Sequence, residues 1–145
     1  MILYLGTSSL VKLYFEEPYS DLAREWVKEA EIVATCRIAY TEIMSALDTR
    51  FRKHDISRKD YALFAKAFFK DWDDFVTVDF DEIEAGRLVK KYGLRRFDAI
   101  HLSAAKLIKK EYNDISLSFS SASEKLCRAA SAEGLRVLSF ADVSS

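Results

Sequence analysis

The sequence predicts a single α/β domain over residues 1–145, with a mostly parallel central sheet flanked by helices on both faces. The chain has 145 residues, of which 50% are hydrophobic, and this suits one compact core. Short apolar or β-branched runs alternate along it with segments whose apolar residues recur at helical spacing. Strands separated by helices in this way pair in parallel, with helices packed against the sheet.

The N-terminal part of the chain predicts one strand followed by two helices. The continuous apolar run Ile2–Leu5 is typical of a buried strand, and the turn-permissive Gly6 follows it. Hydroxyl residues at positions 7–9 can cap a helix that ends near Pro18. Ser20 can then cap the second helix, whose apolar residues share one face.

The middle of the chain predicts two short strands around a pair of long helices. The β-branched segment 32–35 favours a strand, and segment 75–78 favours another. Between them, segments 38–52 and 57–74 place apolar residues at helical spacing. These two segments are expected to form an antiparallel helical pair.

The last third of the chain repeats the alternation of helices and strands. Segments 81–92 and 97–111 predict helices separated by Gly93, a natural C-terminal cap. The remaining predicted elements are a strand at 115–119, a helix at 124–133 ended by Gly134, and a strand at Arg136–Leu138.

Charge and cysteine usage exclude several classes of function. The net charge is only −1, so any RNA contact must come from local basic clusters rather than a global positive field. Cys36 and Cys127 lack the spacing of metal ligands, which indicates two buried reduced thiols rather than a zinc site. The N-terminal apolar run is too short for a signal peptide or a membrane span, so we expect a cytoplasmic protein with no membrane partner.

Polar residues that follow the predicted strands are the first candidates for a functional site. In parallel α/β sheets, sites form beyond the carboxyl ends of the strands. Gly6, Thr7 and Ser8 follow the first strand, and the serine-rich segment 120–123 follows the fourth.

Two acids, Glu42 and Asp98, interrupt apolar helical segments, where a charge is costly unless it is paired or holds a metal. Each also has an ordinary explanation. Asp98 can be a helix N-terminal acid, favoured by about 0.3–1 kcal/mol. Glu42 can pair with Arg37 or Arg50 at the surface. His101 is one turn from Asp98, and a histidine on an apolar helix is more typical of a hydrogen-bonded core residue than of a catalytic base.

Four motifs follow one another along nearly the whole chain. They are Leu3-x-Leu5-Gly6-Thr7-Ser8-x-Leu10-Val11-Lys12, Thr41-Glu42-Ile43, Phe97-Asp98-Ala99-Ile100-His101-Leu102 and Phe119-x-Ser121-x-Ser123. In order and spacing they resemble the PIN domain, and most closely its VapC group, the toxin half of bacterial and archaeal toxin–antitoxin pairs. The first and third motifs are the specific ones, whereas the glutamate motif is weak alone.

The resemblance implies a Mg²⁺- or Mn²⁺-dependent endoribonuclease with three or four carboxylates in a cleft, which leaves a 3′-hydroxyl and a 5′-phosphate. Hard divalent cations prefer oxygen ligands, and they can generate hydroxide and offset phosphate charge. By the resemblance, Glu42 and Asp98 match the second and third acids and are the catalytic candidates. Gly6 stands where the first metal-binding aspartate belongs. Ser123 stands where a fourth acid is common, and its hydroxyl could hold a metal-bound water.

Gly6 is the serious departure from the family pattern, and two explanations remain open. One base change converts an aspartate codon into a glycine codon, and an active toxin selects for such changes, so Gly6 can be an inactivating change in a working enzyme. Alternatively, the protein is a non-catalytic, degenerate PIN domain that binds RNA or another protein. Neighbouring Thr7 and Ser8 offer neutral oxygens, which replace a carboxylate poorly.

Basic residues near the acid motifs supply candidate phosphate contacts. Arg37, Arg95 and Arg96 are the predicted substrate-binding cations, together with the hydroxyls of Thr7 and Ser8. A solvated helix surface is the more ordinary explanation of any one of these cations.

The resemblance also implies protein partners. A VapB-like antitoxin, a second copy of the chain in a homodimer, and an RNA substrate (tRNA, rRNA or mRNA) are expected. The helical pair has more aromatic residues than one core stripe needs, and these suit a homodimer contact or an antitoxin groove. They are Phe64, Phe68, Phe69, Trp72 and Phe75.

Overall fold

The computed structural model describes residues 1–143, and its centre is a five-stranded sheet in which every neighbouring pair of strands is parallel. The strand order is β3-β2-β1-β4-β5. The strands are β1 (Ile2–Leu5), β2 (Ile32–Cys36), β3 (Val76–Val78), β4 (Leu117–Ser120) and β5 (Arg136–Leu138). The predicted parallel sheet is therefore confirmed.

Helices connect these strands along the chain. The α-helices of the described residues are α1 (Thr7–Leu10), α2 (Ser20–Glu29), α3 (Ala39–Arg52), α4 (Arg58–Trp72), α5 (Glu82–Tyr92), α6 (Arg96–Glu111) and α7 (Glu124–Ala132). Short 3₁₀ turns cover Val11–Leu13 and Phe140–Val143. No helix within residues 1–143 is long and apolar enough to cross a membrane.

Alternate residues of β1 point to opposite faces of the sheet and divide the core in two. Ile2 and Tyr4 pack in a cluster with apolar residues of α5, α6 and α7. Leu3 and Leu5 pack in a second cluster with apolar residues of α1, α3 and α4. Helices therefore cover both faces of the sheet, as the sequence predicts.

The predicted antiparallel helical pair is α3 and α4, and aromatic contacts join it. Tyr40, near the start of α3, stacks on Phe68 near the end of α4, with ring centroids 5.1 Å apart. Phe51, at the end of α3, contacts Tyr61 near the start of α4 at 5.0 Å. Phe68 is fully in the core, whereas Phe69 is 68% exposed, so the aromatic residues serve mainly as core.

The first helix differs from the prediction. Gly6 is its N-cap, and no side chain caps it, because the hydroxyls of residues 7–9 bond to side chains of other elements instead. The α-helix ends at Leu10 and continues only as the 3₁₀ turn Val11–Leu13, short of the predicted end near Pro18. The expected hydroxyl cap is therefore wrong.

The start of α2 is also different from the prediction. The N-cap is Tyr19, which has a left-handed backbone with φ of 70°, and Ser20 is the first helical residue. The Ser20 hydroxyl accepts a hydrogen bond from the Glu17 amide at 2.9 Å and donates one to the Phe15 carbonyl at 3.0 Å. Ser20 thus closes the loop before the helix rather than capping it.

The other predicted ends agree with the structure to within one or two residues, which is the usual uncertainty of such bounds. Gly93 ends α5 with φ of 67°, a left-handed conformation that favours glycine. The 3₁₀ turn Phe140–Val143 is unpredicted, because four residues are too few to show a period. Cys36 and Cys127 are both buried thiols, as expected.

A cluster of charged side chains ties α5 and α6 to the end of α7. The side chain of Glu133 is 6% exposed, and its carboxylate accepts from Lys106 and Arg87 at 2.6 Å each, and from Lys91 and Tyr92. Burial alone would raise the pKa of Glu133, but these hydrogen bonds outweigh it and hold the pKa far below its ordinary value. Hydrogen bonds from Arg87 and Lys106 lower the pKa of Glu84 to about 2.

The carboxyl ends of β1 and β4 lie side by side, with Leu5 opposite Ser120. From β1 the sheet continues to β2 and β3 on one side and to β4 and β5 on the other. A crevice forms at such a switch point, because the loops after the two central strands lead away in opposite directions.

Candidate active site

A cleft of about 700 Å³ opens at the carboxyl ends of β1 and β4. Segments that are distant in the sequence meet there: the start of α1, the faces of α3 and α6, and the loop that leads into α7. Among the sequence-predicted site residues, the cleft is lined by Gly6, Thr7, Ser8, Glu42, Arg95, Asp98 and Ser123.

Glu42, on α3, is held in the cleft by two hydrogen bonds. The Thr7 hydroxyl donates to its Oε1 at 2.7 Å, and Nε2 of His101 lies 2.8 Å from the same oxygen. Neither contact uses Oε2. The alternative surface pairing is wrong, because Arg37 pairs with Asp79 and Arg50 pairs with Glu17. The carboxylate of Glu42 is thus fixed by the protein's own groups and lies at the edge of the cleft.

His101 is only 2% exposed and links the core to Glu42, which confirms the interpretation of a hydrogen-bonded core residue. Its Nδ1 lies 2.7 Å from the Tyr4 hydroxyl. Burial raises the pKa of Tyr4 well above its ordinary value, so the phenol keeps its proton and can donate it to Nδ1. The ring then carries its own proton on Nε2, the nitrogen that faces Glu42 and Thr7.

Asp98, in the first turn of α6, is the second carboxylate of the cleft. It is partly buried, and burial raises the pKa of its carboxyl group, although the positive charge of Arg95 opposes that effect. No hydrogen bond between described residues ends on this carboxylate. A partly buried acid without such a bond is costly, and a bound cation would offset that cost.

The structure at Gly6 does not require glycine. The backbone has φ of −67° and ψ of 162°, an extended conformation that any residue adopts. A Cβ at this position would lie 3.4 Å from the Ser120 carbonyl oxygen and 3.6 Å from Cβ of Ser121, which are ordinary contacts. A longer side chain can therefore start here, beside the cleft that Glu42 and Asp98 line.

The serine hydroxyls of the site mainly stabilise the loops around it. The Ser8 hydroxyl accepts from the Ala122 amide at 2.8 Å and lies 3.1 Å from the hydroxyl of Ser121. Ser123 caps α7, since its hydroxyl accepts from the Leu126 amide at 3.2 Å. This helix cap competes with the predicted role of Ser123 in holding a water, a role that stays a prediction.

The structure divides the predicted basic residues. Arg95, the N-cap residue of α6, lines the cleft, but Arg37 and Arg96 do not. Arg37 is exposed and lies 3.5 Å from Asp79, while the Arg96 guanidinium lies over the Phe97 ring, with its carbon 5.8 Å from the centroid. The predicted role of these two residues in substrate binding stays a prediction.

Two cations of the cleft, Arg50 and Lys125, were not predicted as substrate contacts. Arg50 is two turns after Glu42 on α3, so helical spacing alone could have placed it on the same face. Lys125 is the second residue of α7, close after the loop that follows β4, and its Nζ donates to the Gly93 carbonyl at 2.7 Å.

The donors of the cleft fit a hard divalent cation in kind, since they are carboxylate and hydroxyl oxygens. They fall short in number. Within residues 1–143 no group of three histidine, cysteine, aspartate or glutamate side chains is arranged to hold a metal ion. The two acids line the cleft beside the space at Gly6, where a third carboxylate would add to them.

The family of the chain follows from its sequence. The PIN-domain profile matches residues 3–119, so the chain belongs to the PIN-domain family. Within that family it is VapC-like. Ribonuclease VapC45 and ribonuclease VapC49, from two strains of Mycobacterium tuberculosis, are each 30% identical to it over 112 residues, which covers 72% of this chain and 74% of the relative. The predicted resemblance is confirmed.

Solved structures show the same fold at much lower identity. PAE2754 from Pyrobaculum aerophilum is 17% identical, with a TM-score of 0.66 over 99% of this chain and 92% of that one. FitAcB from Neisseria gonorrhoeae is 14% identical, with a TM-score of 0.63 over 95% of this chain and 96% of that one. FitAB bound to an IR36 DNA fragment is also 14% identical, with a TM-score of 0.61 over 96% of this chain and 94% of that one.

Proposed function

We propose that this chain is a VapC-like, metal-dependent endoribonuclease toxin that is impaired because Gly6 replaces a metal-binding carboxylate. The observation that carries the proposal is the convergence of Glu42 and Asp98 on one cleft, next to a position where a side chain fits without strain. Its curated relatives are ribonucleases.

The residues of the cleft have separate roles in this proposal. Glu42 and Asp98 would hold the cation, which in PIN-domain nucleases is generally divalent and here would be Mg²⁺ or Mn²⁺. When bound, it would supply an activated water and offset charge on the scissile phosphate. Thr7 and His101 orient the Glu42 carboxylate through its Oε1, and neither contact uses Oε2. Arg95 lines the same cleft and neutralises an RNA phosphate.

The decisive experiment restores the missing carboxylate. Purified Gly6→Asp protein is incubated with tRNA, rRNA and mRNA in the presence of Mn²⁺ or Mg²⁺, and the products are resolved on a denaturing gel. Gly6→Asn is the matched control, because it has the same shape without the charge. We expect cleavage by the aspartate variant only, and we expect an added Asp98→Asn change to abolish it. Intact RNA after incubation with correctly folded Gly6→Asp protein contradicts the proposal.

The partners of the proposed toxin are a VapB-like antitoxin and a second copy of the chain, in the cytoplasm. Leu63 and Phe69 support a protein contact, because these large apolar side chains on α4 are 53% and 68% exposed. Size-exclusion chromatography with light scattering tests the homodimer, and a Phe69→Glu variant is expected to elute as a monomer. For the antitoxin, we expect an upstream reading frame that encodes a small DNA-binding protein. That small protein is expected to co-purify with this chain.

A non-catalytic RNA- or protein-binding module is the second candidate. The absence of a three-residue metal-binding group within residues 1–143 favours it. Sequencing the native gene separates the two candidates, because an aspartate codon at position 6 identifies a working enzyme. A native glycine codon together with inactive Gly6→Asp protein supports the binding module.

A further inference from the structure

A second hollow, of about 600 Å³, opens directly beside the cleft. Its walls come from the first half of α3 and from the start of α6, and they are mostly apolar. Glu42 and Ala46 line both hollows. The two are therefore one continuous surface with a charged half and an apolar half, and Glu42 marks the boundary.

Phe97 forms one wall of this second hollow and directly precedes Asp98 in the sequence. It is 45% exposed, although large aromatic side chains gain free energy when they are buried. The guanidinium of Arg96 lies over its ring, 5.8 Å from the centroid. An exposed aromatic ring next to a guanidinium is the combination on which unpaired RNA bases stack.

The opposite wall of the hollow has hydroxyl groups. Thr41 and Ser45 are both exposed residues that line it from α3. They are four residues apart, so they lie one above the other on a single helix face. Each hydroxyl can donate and accept a hydrogen bond, which is what the edge of a nucleobase requires.

We propose that this hollow is a nucleobase subsite, which holds the base next to the scissile phosphate against the ring of Phe97, with Thr41 and Ser45 at the base edge. The inference rests on the proposed function, since it takes that phosphate to lie in the adjacent cleft. The cations of the cleft, Arg95 and Lys125, favour an RNA occupant over an apolar protein side chain. A sugar–phosphate backbone is anionic and would bring its base into the apolar half of the same surface.

The test uses the chain as it stands, because binding requires no cleavage. A short fluorescein-labelled single-stranded RNA is titrated with the protein, and its affinity is read from fluorescence anisotropy. Loss of one base-stacking ring weakens single-strand binding typically by about 5–150-fold. We expect that loss for Phe97→Ala and near-parent affinity for Phe97→Trp, which keeps a ring. Replacing the bases by abasic sugars should remove the difference between these two variants.

Tyr112→Ala is the matched control. Tyr112 is an exposed aromatic at the other end of α6, about 22 Å from Phe97 along the helix axis, and it lines neither hollow. This variant should bind RNA as the parent does. A thermal melt of each variant establishes that it is folded. Because Phe97 is exposed, its replacement should leave the fold intact.

Several results would overturn the subsite. They are equal RNA affinity of Phe97→Ala and parent, RNA binding too weak to measure in the parent, or a Phe97→Ala defect confined to binding of a co-purifying protein. These outcomes are distinct from failure of the proposed function. Cleavage by Gly6→Asp without any effect of Phe97→Ala removes the subsite alone, whereas Phe97-dependent binding without cleavage by Gly6→Asp keeps the subsite and removes the nuclease.

Discussion

Metal-dependent stability of Gly6 variants tests the proposed cation site without relying on activity. The extended backbone at Gly6 suits any L-residue, so Gly6→Ala should stabilise the fold by about 0.4–1 kcal/mol through the lower entropy of its unfolded chain. Gly6→Asn shares that gain. Gly6→Asp adds a third carboxylate beside Glu42 and Asp98, and without a cation the mutual repulsion costs on the order of 1–3 kcal/mol. Metal-free aspartate protein is therefore expected to melt below the asparagine variant.

Adding a divalent cation should reverse this order. Loss of one ligand weakens metal affinity at least as much as loss of an outer-shell partner does, about 10–100-fold. A Mn²⁺ concentration 100 times the Kd of the aspartate variant stabilises that variant by about 2.7 kcal/mol. The same concentration stabilises the parent by only about 0.4–1.4 kcal/mol. In a chain of this size 1 kcal/mol corresponds to about 2–4 °C in Tm, so the aspartate variant gains about 5–11 °C.

The assay is thermal denaturation followed by circular dichroism, first in chelator and then with increasing Mn²⁺ at constant ionic strength. The asparagine variant controls for shape, and the alanine variant controls for the loss of glycine. If Mn²⁺ raises the Tm of the aspartate and asparagine variants by the same amount, position 6 does not contribute a metal ligand and the reasoning is wrong.

Three further predictions concern stability and the positioning of the site. Glu133→Gln removes the anion that Arg87 and Lys106 share, so we expect the free energy of unfolding in urea to fall by about 1–3 kcal/mol. Glu25→Gln changes an exposed glutamate and is the neutral control. The pKa values of Glu84 and Glu133 are lowered in the fold, so the stability that these two carboxylates contribute is complete above about pH 5 and is lost as the pH falls towards about 2. The urea midpoint of the parent, measured against pH, should fall over this range. A midpoint that stays flat contradicts the assignment. Tyr4→Phe deletes the hydroxyl bonded to His101 and should lower the free energy of unfolding by about 1 kcal/mol in the same urea experiment. The same change should lower RNA cleavage by the Gly6→Asp protein. Unchanged cleavage would show that Tyr4 does not help to position Glu42.

The fold was predictable from periodicity because its elements are strongly patterned. The apolar run Ile2–Leu5 became the central strand, and Gly93 ended its helix as expected. The first helix was not predictable, because its hydroxyl residues bond across the fold rather than to their own backbone. The Ser20 hydroxyl likewise closes a loop, and a sequence pattern does not distinguish that use from a helix cap.

The candidate site was predictable in its acids and only partly in its surroundings. Glu42 and Asp98 stood out as acids in apolar helices, but the partners of Glu42 lie 35 and 59 residues away in the sequence. Which basic residues line the cleft was likewise not predictable from the sequence. Arg95 and Arg96 are neighbours in the sequence, yet Arg95 is the extended N-cap residue whereas Arg96 begins the helix, and only Arg95 lines the cleft.

The charges of the cleft connect the two candidate functions. Arg50 is paired with Glu17, so two cations of the cleft, Arg95 and Lys125, face two carboxylates, Glu42 and Asp98. Glycine at position 6 leaves these charges balanced, whereas an aspartate would leave an excess of one negative charge. Loss of the carboxylate would therefore weaken the proposed cation site and favour the RNA backbone at the same time. A chain that no longer cuts should hold RNA more tightly in chelator than its Gly6→Asp variant does, so RNA binding alone does not distinguish a degenerate module from an impaired enzyme. Restored cleavage does separate them.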